Sequence, residues 1–187
     1  MGLFDAFKKK GKEPSYDPTN ISIKDLDEGF IFEYDLKTWK VEEAYEYDWG
    51  SNYFSKEFKI SDGNEVVFLE VEEDDELEVS IHNKVKVPVI DPDLPDRMVK
   101  KGKPPKQLEY KGVTYYRDEE SPGYFRNMKD DAEKDDSWSE FISWSFYDES
   151  EEKILTIEQW GERQFEASQG QYIKPYEVSN ILPKLQE

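Results

Sequence analysis

The chain has 187 residues, enough for one domain of ordinary size. Its formal charge of −19 repels phosphate backbones, and the basic segments Lys8–Lys12 and Lys100–Lys106 carry no interleaved aromatics, so the balance weighs against nucleic-acid binding. With no cysteine there are no disulfides, thiolate metal sites or cysteine nucleophiles, and no window of about 18 apolar residues exists to cross a bilayer as a helix.

Hydrophobic and charged residues, at 36% and 37%, would together suggest disorder, but 15% of the chain is aromatic, and rings bury enough area each to build a core in few residues. In chain order, residues 1–18 read as a leader. Leu3, Phe4 and Phe7 share one helical face with Lys8, Lys9 and Lys10 close behind, a pattern suited to weak contact with an anionic membrane. Pro14 and Pro18 link the leader to a β-rich domain over residues 19–187, with halves at 19–90 and 107–187.

In the first half Trp39, Val41, Tyr45, Tyr47 and Trp49 share one parity and Lys40, Glu42, Glu46 and Asp48 the other, an alternation interrupted only at Glu43. Ser61-Asp62-Gly63-Asn64 is a hairpin turn, and Glu72 to Glu76 an acidic one. Leu77, Val79 and Ile81 then alternate with Glu78, Ser80 and His82, so the lone histidine points with the polar set.

Pro88, Pro92, Pro95, Pro104 and Pro105 break the strand rhythm, and Asp93 to Lys100 predicts about two helical turns before Gly102. Strands resume at Leu108, Tyr110, Val113 and Tyr115, with Ser121-Pro122-Gly123 as a turn and Asn127 to Ser137 as a charged loop. From Trp138 to Ile173 the spacing predicts a β-meander: Trp138, Ile142, Trp144 and Phe146 on one parity, then Ile154, Leu155 and Ile157, then Phe165, Tyr172 and Ile173, with a bulge at Gly170. Val178, Ile181, Leu182 and Leu185 suit a short terminal helix. The expected fold class is all-β, mainly antiparallel meanders, as a sandwich or partly open barrel with short helices in the connection and at the C-terminus.

Thr38-Trp39-Lys40-Val41, Gly112-Val113-Thr114-Tyr115-Tyr116, Trp144-Ser145-Phe146-Tyr147-Asp148 and Gly170-Gln171-Tyr172-Ile173 resemble a bacterial domain of unknown function, DUF4178, from about residue 20 onward. The resemblance implies a bacterial cytoplasmic host and a link to envelope stress or membrane-associated systems. It supplies no catalytic residues to carry over.

Three kinds of chemistry compete. Carboxylates cluster at Asp91–Asp96, Glu72–Glu76 and Asp130–Asp136, but a loop starting at Asp131 has Asp136 where an EF-hand needs glycine and Ile142 where it needs glutamate, so no metal site is assigned. Paired carboxylates could instead serve a hydrolase, with His82 as a base. The rings Tyr45, Tyr47, Trp49, Trp138, Trp144 and Trp160 form the third candidate, a ligand or partner surface. The expectation is a non-catalytic binding or assembly module with no cofactor. It would be cytoplasmic or peripheral at the inner membrane face, with a protein partner or self-association; a carboxylate hydrolase and a calcium-dependent module are the alternatives. Burial discriminates: a hydrolase needs a deep pocket with at least two carboxylates of raised pKa, and a binding module needs an exposed aromatic patch.

Overall fold

The computed structural model describes residue 17, residues 19–134 and residues 137–184. Leu3, Phe4, Phe7, Lys8, Lys9, Lys10, Pro14, Pro18, Asp135, Asp136 and Leu185 lie outside the described residues. The strands are β1 (Ile31–Tyr34), β2 (Lys37–Asp48), β3 (Phe54–Ser61), β4 (Val66–Glu73), β5 (Leu77–Val85), β6 (Gln107–Tyr110), β7 (Val113–Asn127), β8 (Ser139–Tyr147), β9 (Lys153–Gly161), β10 (Gln164–Ile173) and β11 (Ser179–Leu182). Between β5 and β6 run two short helices, α1 (Val87–Ile90) and α2 (Leu94–Lys101).

All strands join one sheet, in the order β11-β1-β2-β3-β4-β5-β10-β9-β8-β7-β6. Two antiparallel meanders, β2–β5 and β7–β10, meet along β5 and β10. Tyr45–Asp48 of β2 then pair with Tyr124–Asn127 of β7, which closes the meanders into a ring. Of the two expected architectures, the chain takes the barrel-like one. Turn chemistry sets the hairpins: between β3 and β4 the Asp62 carboxylate accepts the N–H groups of Asn64 and Glu65 while Gly63 takes a φ of 91°.

The ring is apolar outside and polar inside. One apolar core lies on the outer faces of β2–β5, where Val41, Phe58, Ile60, Leu69 and Val79 are covered by Ile23, Leu26 and Phe30 from the segment before β1 and by Val178 after β10. A second lies on the outer faces of β8–β10, where Trp144, Phe146, Leu155 and Ile157 are covered by Leu94 and Met98 of α2 and by Leu108 of β6. Each such side chain contributes about 1.5–3 kcal/mol on burial, so these two covers supply much of what holds the ring together. Helix α2 falls where the sequence predicts it, with Pro95 in its first turn and Gly102 closing it in the left-handed conformation.

Four local expectations change. The parity class of β2 is split by a bulge: Val41 pairs with Ile60 but Glu43 with Lys59, so one residue is unpaired between them. Trp39 and Val41 consequently join the outer core, while Tyr47 and Trp49 face inward. Ser121-Pro122-Gly123 is no turn but part of β7, with Pro122 opposite Ile142 of β8. On the other side β7 meets β2 only from Tyr124 onward, so the missing Pro122 N–H leaves no ladder bond unmade. Gly170 sits in regular register between His82 and Ile154 and forms no bulge. After β10 the chain makes a 3-10 turn at Pro175–Glu177 and then pairs as β11 with β1, in place of the helix expected there.

Candidate functional site

Because each strand turns its polar parity inward, the ring encloses a cavity of about 640 Å³ lined by side chains that alternate with the outer cores. Carboxylates dominate the lining. Glu57 comes from β3, Glu70 and Glu72 from β4, Glu78 from β5, and Glu158 from β9. Ser80 and His82 of β5, Ser143 and Ser145 of β8, Thr156 of β9 and Ser168 of β10 add hydroxyls and the imidazole. The cavity reaches the end of the ring where the acidic β4–β5 turn lies, with Asp74 among its lining residues.

Deep in this lumen Glu57, only 5% exposed, accepts from Tyr47 Oη at 3.2 Å and pairs with His82 Nε2 at 2.8 Å. Burial alone would raise the Glu57 pKa, but the hydrogen bond and charge of His82 outweigh it and hold the carboxyl below its ordinary value. His82 is likewise pushed down by burial, and its bond to Glu57 more than reverses that, so its pKa is raised. The imidazole also stacks on Phe68, ring centroids 5.8 Å apart. Gly170 makes this packing possible. A Cβ there would stand 2.4 Å from the Ile81 carbonyl oxygen and 2.5 Å from His82 Cβ.

The other carboxylates differ in how they are satisfied. Trp49 Nε1 donates to Ser55 Oγ at 3.0 Å, and Ser55 Oγ donates to Glu70 Oε1 at 3.2 Å. Glu72 accepts from the Tyr53 hydroxyl. Glu158, 8% exposed, has an Oε2 with no hydrogen-bond partner; Lys84 Nζ stands 3.7 Å away, beyond hydrogen-bond reach. Burial pushes the Glu158 carboxyl up to about 7, against the pull of Lys84 and with the push of Glu57 and Glu166. Burial also raises Glu70, with Glu57 adding to it and His82 opposing, and raises Glu72, with Glu78 and Glu119 adding. Among the described residues no three His, Asp or Glu side chains converge closely enough to hold a metal ion.

Residues 27–175 match the family described as a domain of unknown function, DUF4178. The chain belongs to that family. It is also similar to an uncharacterized protein of the bacterium Aquifex aeolicus (strain VF5), 29% identical over 189 residues that cover 98% of this chain and all of the relative. No solved structure matches the chain. The DUF4178 match spans every strand from β1 to β10, and so the whole lumen. Among the described residues no helix is long and apolar enough to cross a membrane.

Of the six rings singled out in the sequence, the fold gathers four. Tyr47 and Trp49 stack at 5.6 Å, Trp160 stacks on Phe141 at 4.7 Å, and Phe125 bridges Tyr45, Tyr47 and Trp160. The bare backbone of Gly123 lets the Trp49 and Phe141 rings close in, since a Cβ there would lie 3.0 Å and 3.1 Å from them. Trp144 is elsewhere, buried in the second outer core with its Nε1 donating to Glu120 Oε2 at 2.8 Å. Trp138 is separate too, with Nε1 on the Ala132 carbonyl and the Arg126 guanidinium over its ring. Sequence reasoning missed Glu57, Glu70 and Glu158, which sit on polar parities that read as solvated faces. The usable signal was that all these strands carry a polar parity while the chain also supplies two sets of apolar covers.

Proposed function

We propose that this DUF4178 chain is a binding module whose ligand site is the lumen of the ring. One observation carries the reading: Glu158 lines the cavity, and its buried carboxylate has an Oε2 with no hydrogen-bond partner, only the Lys84 ammonium at 3.7 Å, where folded proteins satisfy nearly all such atoms. A cavity of about 640 Å³ is also within the range of small-molecule sites, roughly 300–1,000 Å³. Tyr47, Trp49 and Tyr172 supply flat apolar surface against which the body of a ligand can pack.

The hydrolase reading is favoured by a specific observation as well, since the discriminating feature set for it, a deep pocket with two or more raised carboxylates, is met by Glu158, Glu70 and Glu72. Binding fits better because acid-base catalysis needs two carboxylates free to meet substrate. Here Glu57 is committed to His82 and Tyr47, Glu70 to Ser55 and Glu72 to Tyr53. The test is a saturation-transfer NMR screen of small cations, anions and neutral polar molecules against the full chain and against Ser145→Phe, which fills the lumen. Hits lost in the variant support the reading; hits that persist place the site outside. Turnover of a hit by the wild-type chain, absent in Glu158→Gln, would favour the hydrolase. Contact of the leader with an anionic membrane is a separate proposal, and equal liposome binding with and without residues 1–12 contradicts it.

A further inference from the structure

We propose that the lumen takes a small organic cation bearing a primary ammonium or guanidinium group, whose N–H groups bond the Glu158 carboxylate. This rests on the lumen being a ligand site and adds the chemical class. When ionised, the Glu158 carboxylate can only accept, so what completes it must bring a donor. Lys84 does not complete it: its Nζ is 3.7 Å from Glu158 and 3.5 Å from Glu166, splitting its charge between two carboxylates.

Charge selects among donors. His82 and Lys84 are the cationic groups facing Glu158, both from β5, and Glu57 from β3 and Glu166 from β10 face it with negative charge; Tyr47 adds a phenol that stays neutral. Further out Glu70, Glu72, Asp74 and Glu78 line the way in. An anion entering this field is repelled, and a neutral hydroxyl gains none of the charge attraction. A metal ion lacks the converging ligands it needs among the described residues. A quaternary ammonium has the charge but no N–H for the oxygen to accept.

The cation also competes with a proton for Glu158. Below neutrality the carboxyl is protonated and must release that proton to bind, so binding weakens as pH falls. The test is isothermal titration of the full chain with butylammonium, methylguanidinium, tetramethylammonium, butanol and butyrate at low salt. Butylammonium and methylguanidinium are expected to bind, roughly tenfold more weakly at pH 6 than at pH 8. Glu158→Gln, whose folding is verified by an unchanged or raised Tm, should weaken both by at least about tenfold, whereas Glu151→Gln in the β8–β9 turn should change either by less than about twofold. Tetramethylammonium binding as well as butylammonium, or Glu158→Gln binding like wild type, overturns the proposal. Butanol or butyrate binding in place of the amines overturns the cation and leaves the lumen reading standing; none binding overturns the cation, while the Ser145→Phe screen decides the lumen separately.

Discussion

The two meanders that close the ring are built alike and furnished differently. Across the β5–β10 ladder His82 faces Gly170, and stepping outward strand by strand leads from Ser80 to Glu70 and Glu57 on one side and from Ser168 to Thr156 and Ser145 on the other. Along these two rows the first meander presents one hydroxyl and two carboxylates and the second presents three hydroxyls, with His82 one inward-facing position from Ser80. Strands β8–β10 of the second meander contribute one lining carboxylate, Glu158, one inward-facing position from Thr156, and its Oε2 has no hydrogen-bond partner. The contrast teaches that the outer cores set the shape of the ring and the inward row is free to vary, because shape is carried by Leu69, Val79, Leu155 and Ile157 on the far side of each strand.

The strongest way to break the comparison is His82→Ala against Ser145→Ala. Removing His82 leaves the Glu57 carboxylate buried without its partner, and the expected loss is about 3–5 kcal/mol in urea unfolding at pH 7. Ser145→Ala should cost less than about 1 kcal/mol; equal losses would mean the two rows are energetically equivalent.

Glu158→Gln tests the second meander's charge and should stabilise the chain. Glu158 titrates near 7 in the folded state against an ordinary 4.5, so the folded chain holds the extra proton between those values and Glu158 lowers stability as pH rises through that window. The difference is on the order of 3 kcal/mol, an upper bound, and the variant should flatten this part of the pH profile. A variant less stable than wild type at pH 8 contradicts the assignment.

Next in size, Gly170→Ala should cost about 1–3 kcal/mol, because its Cβ would meet the β5 backbone and His82. Its signature is a displaced His82 resonance. The smallest effect belongs to the mouth: Glu78→Gln should leave stability within about 0.5 kcal/mol.

Strand periods were legible because a period of two survives whichever face is dry. Which face is dry was not. The alternation groups His82 with Glu78 and Ser80, and that row faces a lumen; the sequence does not show this because the covers that bury the opposite row, Ile23 and Leu26 for one meander and Leu94 and Met98 for the other, are distant in sequence from the strands they cover. The closure of β2 on β7 is equally non-local, joining Tyr45 to Asn127. A single unpaired residue beside Glu43 divides four rings and a valine that share one parity in the sequence between core and lumen. Glu158 reads as one more surface acid until β9 is placed.

Titrating the Glu158 side-chain carboxyl by carbon-detected NMR, assigned with Glu158→Gln, tests the central claim most directly. The account predicts a midpoint near 7 that falls when butylammonium is added. A midpoint near 4.5 that no added ligand moves would mean Glu158 lies in open water, and the lumen would not be a site.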